Sequence, residues 1–537
     1  MSAIEPRTIP GVLRAAAARD PDHTAIEDGA VVLTYRELSE AVSSATAAFI
    51  ASGVDLGDRV AIWAPNLHEW IVLCIGAQAA GAVVVPINTR FKGAEASYVL
   101  AASRARILVT MDEFLGSRPL DMLRTSSGGP AGGRPVRDLP GLEKVVTLRC
   151  AGPDATTYEA FLDSGKVTDR RALDERERAV LPDDPSDILF TSGTTGRPKG
   201  VITTHAQNVA VFSAWADVVG LRSTDRYLVV NPFFHSFGYK AGFLASLLRG
   251  ATILPEAVFD PGRVLSRIAR DRVTVLPGPP TLYQSFLAHP DLPSFDLSGL
   301  RLAVTGAATI PVELIRRMKD ELGFETVITG YGLTESCGVV TMCRYDDDLV
   351  TIATTCGRPI PGVEVRIDRE PGAPAEPGIE GEVMVRGYNV MKGYFENPEA
   401  TREVVDSDGW LRTGDVGTLD SASNLKITDR KKDVFIVGGF NCYPAEIEAI
   451  MRRNPLVADV AVVGVPDTRL GEIGVAFVVP SSGSELSEGA FLSWCKANMA
   501  NYKVPRAAHL VDALPVNASG KVMKYELRER ARVARAP

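Results

Sequence analysis

The sequence predicts an α/β protein with a large N-terminal domain of helix-covered β-sheets that includes a small β-barrel-like subdomain, followed by a small C-terminal α+β domain. Three observations support this prediction. Short β-branched runs alternate with helical patterns in the first part of the chain, short strands with many turns follow from about residue 357, and a separate strand and helix alternation follows residue 433. A chain of 537 residues also exceeds the size at which a single core stops growing, about 250 to 300 residues.

The segment 300–329 shows the alternation most clearly. LRLAVT (300–305) predicts a strand, the following residues predict a helix from Pro311 to Leu322 that ends at Gly323, and TVIT (326–329) predicts the next strand. Proline in the first helical turn and glycine just after the last are the expected helix boundaries. Repeated units of this kind predict parallel sheets covered by helices.

Other stretches are assigned from their composition. The apolar run from Trp70 to Ile87 predicts a buried helix that ends near Gly81 and then a buried strand, because polar and helix-breaking residues interrupt it as a membrane span. The stretch 116–138 is rich in Gly, Pro and Ser, which predicts an exposed, mobile excursion. We place the N-terminal domain at 1–430, its β-rich subdomain at about 357–429 and the C-terminal domain at 433–537, with the charged stretch DRKKD (429–433) as connector.

Composition and charge narrow the function. With 58 Lys and Arg against 66 Asp and Glu, the formal net charge is -8, which argues against a general nucleic-acid binder. The seven cysteines are scattered without a CxxC pair, so they indicate neither a zinc site nor a disulfide framework and favour a reducing, cytoplasmic compartment. The N-terminus lacks the apolar segment of a signal peptide, and we expect no secretion and no stable membrane association. The sequence does not decide between a monomer and a homodimer.

A glycine-rich loop, TSGTTGRPKG, stands at 191–200. It follows the apolar strand DILF (187–190) and precedes a helix that Thr204 can cap. Glycines let the backbone approach a ligand, the hydroxyls supply neutral donors and Lys199 supplies positive charge, which together suit an oligophosphate. The loop is not that of a P-loop NTPase, because Lys199 is followed by Gly200 rather than by Ser or Thr.

A set of motifs in fixed order resembles the adenylate-forming superfamily, which contains acyl- and aryl-CoA synthetases, adenylation domains and luciferases. They are TSGTTGRPKG (191–200), NPFFH (231–235), VTGAA (304–308), YGLTE (331–335), TGD (413–415), DRKKD (429–433), GGFNCYPAEIE (438–448) and PVNASGK (515–521). The resemblance runs from the strand near Ala61 to Lys521. It implies that the C-terminal domain is a lid on a hinge at 431–432, with Lys432 as the hinge residue and the active site between the domains.

The resemblance implies a two-step reaction that uses ATP, Mg²⁺ and coenzyme A. A carboxylate is a poor electrophile, so it attacks the α-phosphorus of ATP to give an acyl adenylate and pyrophosphate, and the coenzyme A thiol then releases AMP. The negative charge that develops on the phosphoryl oxygens must be matched by metal, cationic and hydrogen-bonding groups already in position. The implied partners are therefore a small carboxylic acid, ATP and coenzyme A.

The resemblance also assigns roles to residues of the nucleotide site. Tyr331 would stack on adenine, while Asp415 and Arg430 would hold the ribose hydroxyls. Glu335, with Thr194, would bind Mg²⁺. The implied ATP and AMP contacts are Thr191, Ser192, Gly193, Thr194, Thr195, Gly196, Lys199, Gly306, Ala307, Ala308, Gly330, Tyr331, Gly332, Thr334, Asp415, Arg430 and Lys521.

The catalytic group is implied in the same way. Lys521 would lie between the substrate carboxylate and the α-phosphate, where an ammonium offsets the repulsion of two anions, and Thr334 would bind phosphate. His235 resembles the histidine at the junction of the acyl pocket and the thiol tunnel. Gly438, Gly439 and Phe440 would line that tunnel. Ile436 stands where several relatives carry a second lysine, so the second step is expected to depend mainly on positioning.

The implied acyl pocket is mainly small or apolar. Its members are Phe234, His235, Tyr239, Lys240, Gly242, Gly278, Pro279, Thr305, Gly306, Ser336, Cys337 and Gly338. Amino-acid-activating relatives place an aspartate after the aromatic of NPFFH, whereas this chain has Ser236 and Phe237, and burying an unpaired ammonium is costly. An amino acid substrate is therefore disfavoured. Lys240 has two interpretations, a group that faces a substrate ketone or a solvated helix lysine, and we favour the second.

The stretches NPFFHSFGYKAG, ITDRKKDVFIVGGFNCYPAEIE and TTCGRP are most similar to the actinobacterial ligases that activate the indanedione propanoate left from steroid C and D rings. The resemblance thus implies an acyl-CoA ligase for a non-amino carboxylic acid, with a steroid-derived cyclic propanoate as the specific candidate. An alternative function also agrees with the motifs: a stand-alone adenylating enzyme that loads the phosphopantetheine of a carrier protein. A binding protein with an inactive synthetase fold is disfavoured because Glu335 and Lys521 are present, and luciferase-type oxygenation is a remote third alternative.

Overall fold

The structure, a computed structural model, describes residues 7–130, 135–149, 154–191, 198–306, 310–370, 372–430, 433–481, 484–515 and 522–533, with the backbone alone at 429, 430 and 445. The strands are β1 (Thr24–Asp28), β2 (Val31–Thr34), β3 (Arg59–Trp63), β4 (Val83–Pro86), β5 (Ile107–Met111), β6 (Lys144–Leu148), β7 (Thr156–Thr157), β8 (Pro185–Thr191), β9 (Lys199–Thr204), β10 (Arg226–Val229), β11 (Thr252–Pro255), β12 (Leu302–Gly306), β13 (Thr326–Tyr331), β14 (Thr341–Met342), β15 (Arg358–Pro359), β16 (Val363–Glu370), β17 (Ala373–Pro374), β18 (Gly381–Gly387), β19 (Gly393–Tyr394), β20 (Leu411–Leu419), β21 (Leu425–Arg430), β22 (Phe435–Val437), β23 (Phe440–Cys442), β24 (Val457–Asp467), β25 (Gly471–Pro480) and β26 (Ala507–Leu510).

The α-helices are α1 (Ile9–Arg19), α2 (Tyr35–Ala51), α3 (His68–Ala79), α4 (Gly93–Ser103), α5 (Pro119–Ser127), α6 (Tyr158–Ser164), α7 (Arg170–Ala179), α8 (His205–Val219), α9 (Ser236–Gly238), α10 (Ala245–Arg249), α11 (Pro261–Arg270), α12 (Pro280–Leu287), α13 (Val312–Asp320), α14 (Leu349–Thr354), α15 (Pro398–Val404), α16 (Pro444–Met451), α17 (Glu488–Asn498) and α18 (Lys524–Val533). A π-helical stretch, Tyr239–Leu244, joins α9 to α10. Short 3₁₀ turns lie at Gly165–Val167, Leu292–Ser294 and Thr334–Ser336.

Two mixed sheets form most of the large domain, by which we mean the described residues up to 430. The first has the order β19-β9-β8-β4-β3-β5-β6-β7 and is parallel from β8 to β7. The second consists of two four-stranded parts, β10-β11-β1-β2 and β12-β13-β14-β15. Val275 joins these parts, because it makes parallel bridges to Tyr227 and to Leu302. The predicted α/β class is confirmed.

Helix α3 illustrates how the core is built. Every residue after His68 in this helix is buried, as is typical of a helix that is apolar on all sides. Gly81, at a φ of +85°, ends the turn that follows the helix, and the buried strand β4 comes next. The prediction of a buried helix and strand between Trp70 and Ile87 is confirmed. None of the helices in the described part of the chain has both the length and the apolar character needed to cross a bilayer.

Two smaller sheets lie towards the C-terminus. An antiparallel sheet of order β17-β16-β18-β20-β21 completes the large domain. The described residues from 433 onward, which we call the C-terminal domain, form the sheet β23-β22-β25-β24, and β26 pairs in parallel with β25.

The structure corrects three local predictions. The stretch 116–138 is not simply an exposed excursion, because α5 buries Leu120 and Leu123. The chain after the glycine loop does not enter a helix at once, because β9 pairs antiparallel with β8 before α8 begins. Helix α13 is shorter than predicted and has Pro311 as its N-cap rather than in its first turn.

Candidate active site

One cavity of about 960 Å³ connects the two domains. It lies where β8, β12 and β13 end, and Thr191, Gly306 and Tyr331, the last residue of each of these strands, line it. Open parallel sheets bind ligands at the carboxyl ends of their strands. The geometry therefore favours this cavity as the active site.

The glycine loop connects β8 to β9, and Thr191 lies opposite Lys199 in their antiparallel pairing. Both ends of the loop are held, since the hydroxyl of Tyr98 donates to the carbonyl of Pro198 at 3.0 Å. The Lys199 ammonium lies 5.1 Å from the ring centre of Tyr394. The predicted phosphate contacts Ser192, Gly193, Thr194, Thr195 and Gly196 lie outside the described residues.

The carboxylate of Glu335 is held in place by a residue that no motif marked. The hydroxyl of Tyr394 donates to Glu335 Oε1 at 2.8 Å, and the N–H of Met391 donates to the Glu335 carbonyl at 2.9 Å. Burial, and then the charge of Glu335, raise the pKa of Tyr394 well above its usual range, so this hydroxyl keeps its proton and remains a donor. Lys199 and Glu335, predicted from separate motifs, meet around the Tyr394 ring.

The nucleotide candidates Tyr331 and Asp415 are in direct contact. The Tyr331 hydroxyl donates to Asp415 Oδ2 at 2.6 Å, which fixes the ring and the carboxylate relative to each other. Asp415 on β20 also pairs with the backbone of Arg430 on β21, so the two predicted ribose contacts lie side by side on neighbouring strands. Ala307, Ala308 and Lys521 lie outside the described residues.

The backbone comes unusually close together beneath the cavity. Gly306 pairs with Gly330 across the parallel strands β12 and β13, and a Cβ on Gly306 would lie 2.6 Å from the Gly330 carbonyl oxygen. At Gly332, a Cβ would lie 2.2 Å from the Gly338 carbonyl oxygen. Glycine is therefore required at these positions to preserve the close approach. Thr334 lines the cavity just beyond them.

His235 lies on the cavity wall, where its ring is accessible from the cavity although protein atoms enclose it. Its Nδ1 accepts the N–H of Phe237 at 3.2 Å, so the neutral ring carries its proton on Nε2. Burial, and then the charge of Lys240, lower the pKa of His235 to about 4. The imidazole is therefore neutral near pH 7.

The structure divides the predicted acyl pocket into two groups. The residues that line the cavity are Phe234, His235, Pro279, Thr305, Gly306 and Gly338, whereas Tyr239, Lys240, Gly242, Gly278, Ser336 and Cys337 do not. Prediction by motif position missed several apolar wall residues, which are Phe212, Trp215, Ala241, Val258, Phe259 and Leu282. The wall combines β-strand ends with helices that are distant in sequence, so no single motif contains it.

Lys240 is not a solvated lysine, and that interpretation is wrong. Its side chain is fully buried, and its ammonium lies 2.9 Å from Asp187 Oδ1 and donates to Thr203 Oγ1 at 2.9 Å. It therefore faces the core beside β8 and β9 rather than the cavity. Its neighbour Tyr239 also belongs to the core, where its hydroxyl accepts from the Gln78 amide at 2.6 Å.

The other four residues are kept from the cavity by local packing. The Ser336 hydroxyl is bonded within its own turn, to the carbonyl of Leu333 at 2.9 Å. Cys337 is buried, and this burial raises the pKa of its thiol to about 12. Gly242 and Gly278 pack tightly, since a Cβ at either position would come within 2.8 Å of a neighbouring Val229 or Leu282 side chain.

The C-terminal domain completes the cavity with the predicted tunnel residues Gly438, Gly439 and Phe440. Gly439 has a φ of +86°, and a Cβ there would lie 3.2 Å from the Cβ of Pro279 in the large domain. Phe440 stacks on Tyr502, with ring centres 4.7 Å apart. The predicted hinge residue Lys432 lies outside the described residues.

Comparisons with known proteins agree over almost the whole chain. The family model for AMP-binding enzymes matches residues 13–395, and the model for the C-terminal domain of AMP-binding enzymes matches residues 446–521. Two relatives are named as 3-[(3aS,4S,7aS)-7a-methyl-1,5-dioxo-octahydro-1H-inden-4-yl]propanoyl:CoA ligases. The one from Rhodococcus jostii (strain RHA1) is 48% identical over 98% of this chain and 99% of its own. The one from Mycobacterium tuberculosis (strain ATCC 25618 / H37Rv) is 49% identical over 97% of this chain and 99% of its own.

A solved structure resembles both domains together. It is that of a double mutant of o-succinylbenzoate CoA synthetase (MenE) from Bacillus subtilis, bound with its product analogue OSB-NCoA. Its TM-score is 0.78 and its sequence identity is 27%, over 97% of this chain and 98% of that chain.

Proposed function

Because the chain belongs to the family of AMP-binding enzymes, we propose that it joins 3-(7a-methyl-1,5-dioxo-octahydroinden-4-yl)propanoate to coenzyme A. The chain is an ATP-dependent acyl-CoA ligase, and the proposal concerns the acid. Its main support is the near full-length identity of 48% and 49% to two ligases named for this acyl group. The absence of an acidic residue at Ser236 and Phe237 agrees with an acid that carries no ammonium.

The wall of the cavity suits a compact apolar acid that carries a few polar atoms. Phe212, Trp215 and Phe259 contribute aromatic surface, and burial of apolar surface provides most of the affinity in such pockets. Thr305 is 2% exposed, and its Oγ1 has no hydrogen-bond partner among the described residues. An unpartnered buried hydroxyl is unfavourable by about 1–3 kcal/mol, and rotation of the Thr305 side chain towards the cavity would let a ketone of the substrate accept its proton.

In the first half-reaction, the large domain would hold the nucleotide in a fixed position. Tyr331 and Asp415 would bind the adenosine, while Lys199 and Thr334 would neutralise the phosphates. Glu335 offers a carboxylate oxygen, the type of ligand that Mg²⁺ prefers, and Tyr394 fixes its orientation. Bound there, Mg²⁺ would supply positive charge to the phosphate oxygens.

Lys521 and Thr194, which lie outside the described residues, complete this proposal. Lys521 would lie between the substrate carboxylate and the α-phosphate, where it would stabilise the transition state of adenylation. Thr194 would join Glu335 at the metal. After adenylation the lid would rotate about Lys432.

In the second half-reaction, the thiol of coenzyme A would reach the acyl adenylate along the part of the cavity wall that Gly438, Gly439 and Phe440 form. The neutral ring of His235 would offer an Nε2–H donor beside the reacting carbonyl. Because its pKa is about 4, His235 does not act as an imidazolium at neutral pH. Positioning by Gly438, Gly439 and Phe440 would therefore contribute most to this step.

Pyrophosphate release over a panel of acids tests the proposal. The panel contains the indanedione propanoate, its analogue without the two ketones, octanoate, a cinnamate and phenylalanine, each with and without coenzyme A, and mass spectrometry identifies the thioester. We expect the indanedione propanoate to give the highest kcat/KM. A higher value for any other acid would refute the substrate assignment.

A Thr305→Val variant tests the ketone contact separately. Val has nearly the same shape but no hydroxyl, so kcat/KM for the indanedione propanoate should fall by about tenfold, the cost of one lost hydrogen bond. The value for the ketone-free analogue should stay unchanged. Equal losses for both acids would show that Thr305 only shapes the wall.

A further inference from the structure

A buried lysine, Lys503, connects the C-terminal domain to the large domain. Its ammonium lies 2.7 Å from Glu446 Oε1 on α16 of its own domain and 2.7 Å from Glu95 Oε1 on α4 of the large domain. The Lys503 side chain is 1% exposed, and the two carboxylates are 4% and 9% exposed. Phe91 of the large domain covers the ammonium, with its ring centre 4.7 Å away.

Lys503, Glu446 and Glu95 form a cluster, and we call the two contacts of Lys503 its arms. The arms differ in which domains they connect. The Lys503–Glu446 contact stays within the C-terminal domain, so rotation of that domain leaves it intact. The Lys503–Glu95 contact crosses the domain boundary and must break when the domain turns. Charged contacts that are shielded from water are much stronger than exposed ones. Because Glu95 is buried here, it needs the charge of Lys503, and this contact favours the present orientation over one in which Glu95 stays buried without it.

The roles proposed above for Gly438, Gly439 and Phe440 assign this orientation to the thiol step. Gly438, Gly439 and Phe440 line the cavity here, and the loop that contains Lys503 supports them, since Tyr502 stacks on Phe440 at 4.7 Å. Arg90 of the large domain lies over the Phe440 ring, with its guanidinium carbon 4.7 Å from the ring centre. The Lys503–Glu95 contact and the tunnel wall are thus parts of one interface.

We propose that Lys503 is a positioning residue for thioester formation, which it favours by binding Glu95 and holding the C-terminal domain against the large domain. Lys503 does not line the cavity, so we assign it no contact with the reacting atoms. Its effect is on the population of the thiol-accepting orientation, because a contact made in one orientation alone shifts the equilibrium towards that orientation. This inference rests on the two-step reaction proposed above, although not on the identity of the acid.

The Glu95→Gln variant removes the charge of the interdomain arm while keeping the shape of the side chain. Glu95 Oε2 also accepts the Lys92 N–H at 2.9 Å at the start of α4, and the Gln carbonyl can preserve that cap. Glu37→Gln is a matched control. Glu37 caps α2 through the Thr34 N–H at 2.8 Å, but it lies on an exposed surface and contacts no part of the C-terminal domain in the described structure.

Two half-reactions are measured in each variant: ATP–pyrophosphate exchange, and thioester formation from supplied acyl adenylate and coenzyme A. The acid is whichever one gives the highest exchange in wild type, so failure of the substrate assignment leaves this test intact. In Glu95→Gln, thioester formation should slow by about tenfold, equal to about 1.4 kcal/mol, with exchange within about twofold of wild type. Glu37→Gln should change neither.

A double-mutant cycle with Lys503→Met tests whether the two residues act through each other. If they do, Glu95→Gln should add little to the loss caused by Lys503→Met, because contacting residues are non-additive. Equal loss of both half-reactions in Glu95→Gln, an unchanged thioester rate, or additive losses in the double variant would each overturn the proposal. Because Glu95→Gln leaves Lys503 in place, misfolding of the Lys503 variant would not prevent a decision.

Discussion

Two buried lysines occupy different kinds of site in this molecule, one in the core of the large domain and the other between the domains. Lys240 and its partner Asp187 are both fully buried, and Asp187 also accepts from Ser186 and Asn208 at 2.8 and 2.7 Å. Lys503 instead has one partner in each domain. The Oε2 atom of its partner Glu446 is buried and has no hydrogen-bond partner among the described residues.

The difference shows that similar chemistry can serve the core of one domain and the boundary between two domains. The Asp187 carboxylate binds side chains of β9 and α8 from its position on β8, and none of these described partners lies in the C-terminal domain. In the proposed domain rotation, the Lys503 cluster would keep its contact with Glu446 and exchange its contact with Glu95 for water. Burial acts to lower the pKa of Lys503, but Tyr502, Glu446 and Glu95 together raise it well above its usual value. The ammonium therefore stays charged.

The largest effect is expected from breaking the core pair. Asp187→Leu would leave the Lys240 ammonium buried with its main counter-charge removed, so the free energy of unfolding should fall by about 3–5 kcal/mol. Chemical denaturation followed by Trp fluorescence measures this change. A fall below about 1 kcal/mol would mean that the core pair is no more important than an exposed one.

The double variant Asp187→Leu/Lys240→Met is the control for that experiment. Replacing both members of a buried ion pair by apolar residues of similar volume is often close to neutral, so the double variant should recover much of the lost stability. A double variant as unstable as Asp187→Leu would indicate that packing, rather than the unpaired charge, causes the loss.

Acid should weaken the large domain through a second buried group, His205. This residue is 1% exposed, its Nδ1 accepts the Ile9 N–H at 3.3 Å, and burial lowers its pKa to about 4. Since the unfolded chain binds the proton near pH 6.5, stability is fully present above that pH and is lost as the pH falls towards 4. The expected loss from this group is about 3 kcal/mol.

His205→Asn removes the titrating ring while keeping a side-chain acceptor for the Ile9 N–H. Its free energy of unfolding should therefore depend less steeply on pH between 6.5 and 4 than that of wild type. Denaturation curves at several pH values measure the two slopes. Parallel slopes would show that His205 is not the source of the acid sensitivity.

The sequence predicted those parts of the fold that depend on nearby residues. Thr204 is the N-cap of α8 as expected, and the buried helix α3 follows from its apolar composition. The helix α5 was missed because glycines and prolines on either side hide the short apolar pattern that Leu120 and Leu123 form. Strand β9 was missed because its pairing with β8, rather than its position after a glycine loop, determines its structure.

In the candidate active site too, the sequence predicted what nearby residues determine and missed contacts between distant segments. Motifs found Glu335 and Tyr331 because order along the chain identifies them, but they did not reveal that Tyr394 holds Glu335 or that Asp415 accepts from Tyr331. Lys240 was misjudged because its partner Asp187 lies on another element. Contacts between distant segments depend on tertiary packing, which the sequence pattern of either segment does not contain.

Tyr394→Phe should produce the reverse of the Glu95→Gln result. It removes the hydroxyl that donates to Glu335 Oε1 within the large domain, so ATP–pyrophosphate exchange should fall by about tenfold, as for the loss of a hydrogen bond to a charged group. Thioester formation from supplied acyl adenylate should change by less than about twofold. Tyr388→Phe, which removes a more exposed hydroxyl that donates to the Pro361 carbonyl, should change neither rate. Loss of the thioester step in Tyr394→Phe would break the proposed division between the two regions.

The smallest effect on thioester formation is expected from removing a neutral contact across the domain boundary that Lys503 also spans. The Asn88 amide of the large domain donates to the Tyr502 hydroxyl of the C-terminal domain at 3.3 Å, a long hydrogen bond between uncharged groups. Tyr502→Phe removes this bond but keeps the ring that stacks on Phe440. A neutral hydrogen bond contributes about 0.5–1.5 kcal/mol and this long one should lie at the lower end, so thioester formation should slow by only about two- to threefold, with exchange unchanged. A loss as large as that of Glu95→Gln would mean that the neutral contact holds the domains together as strongly as the charged one.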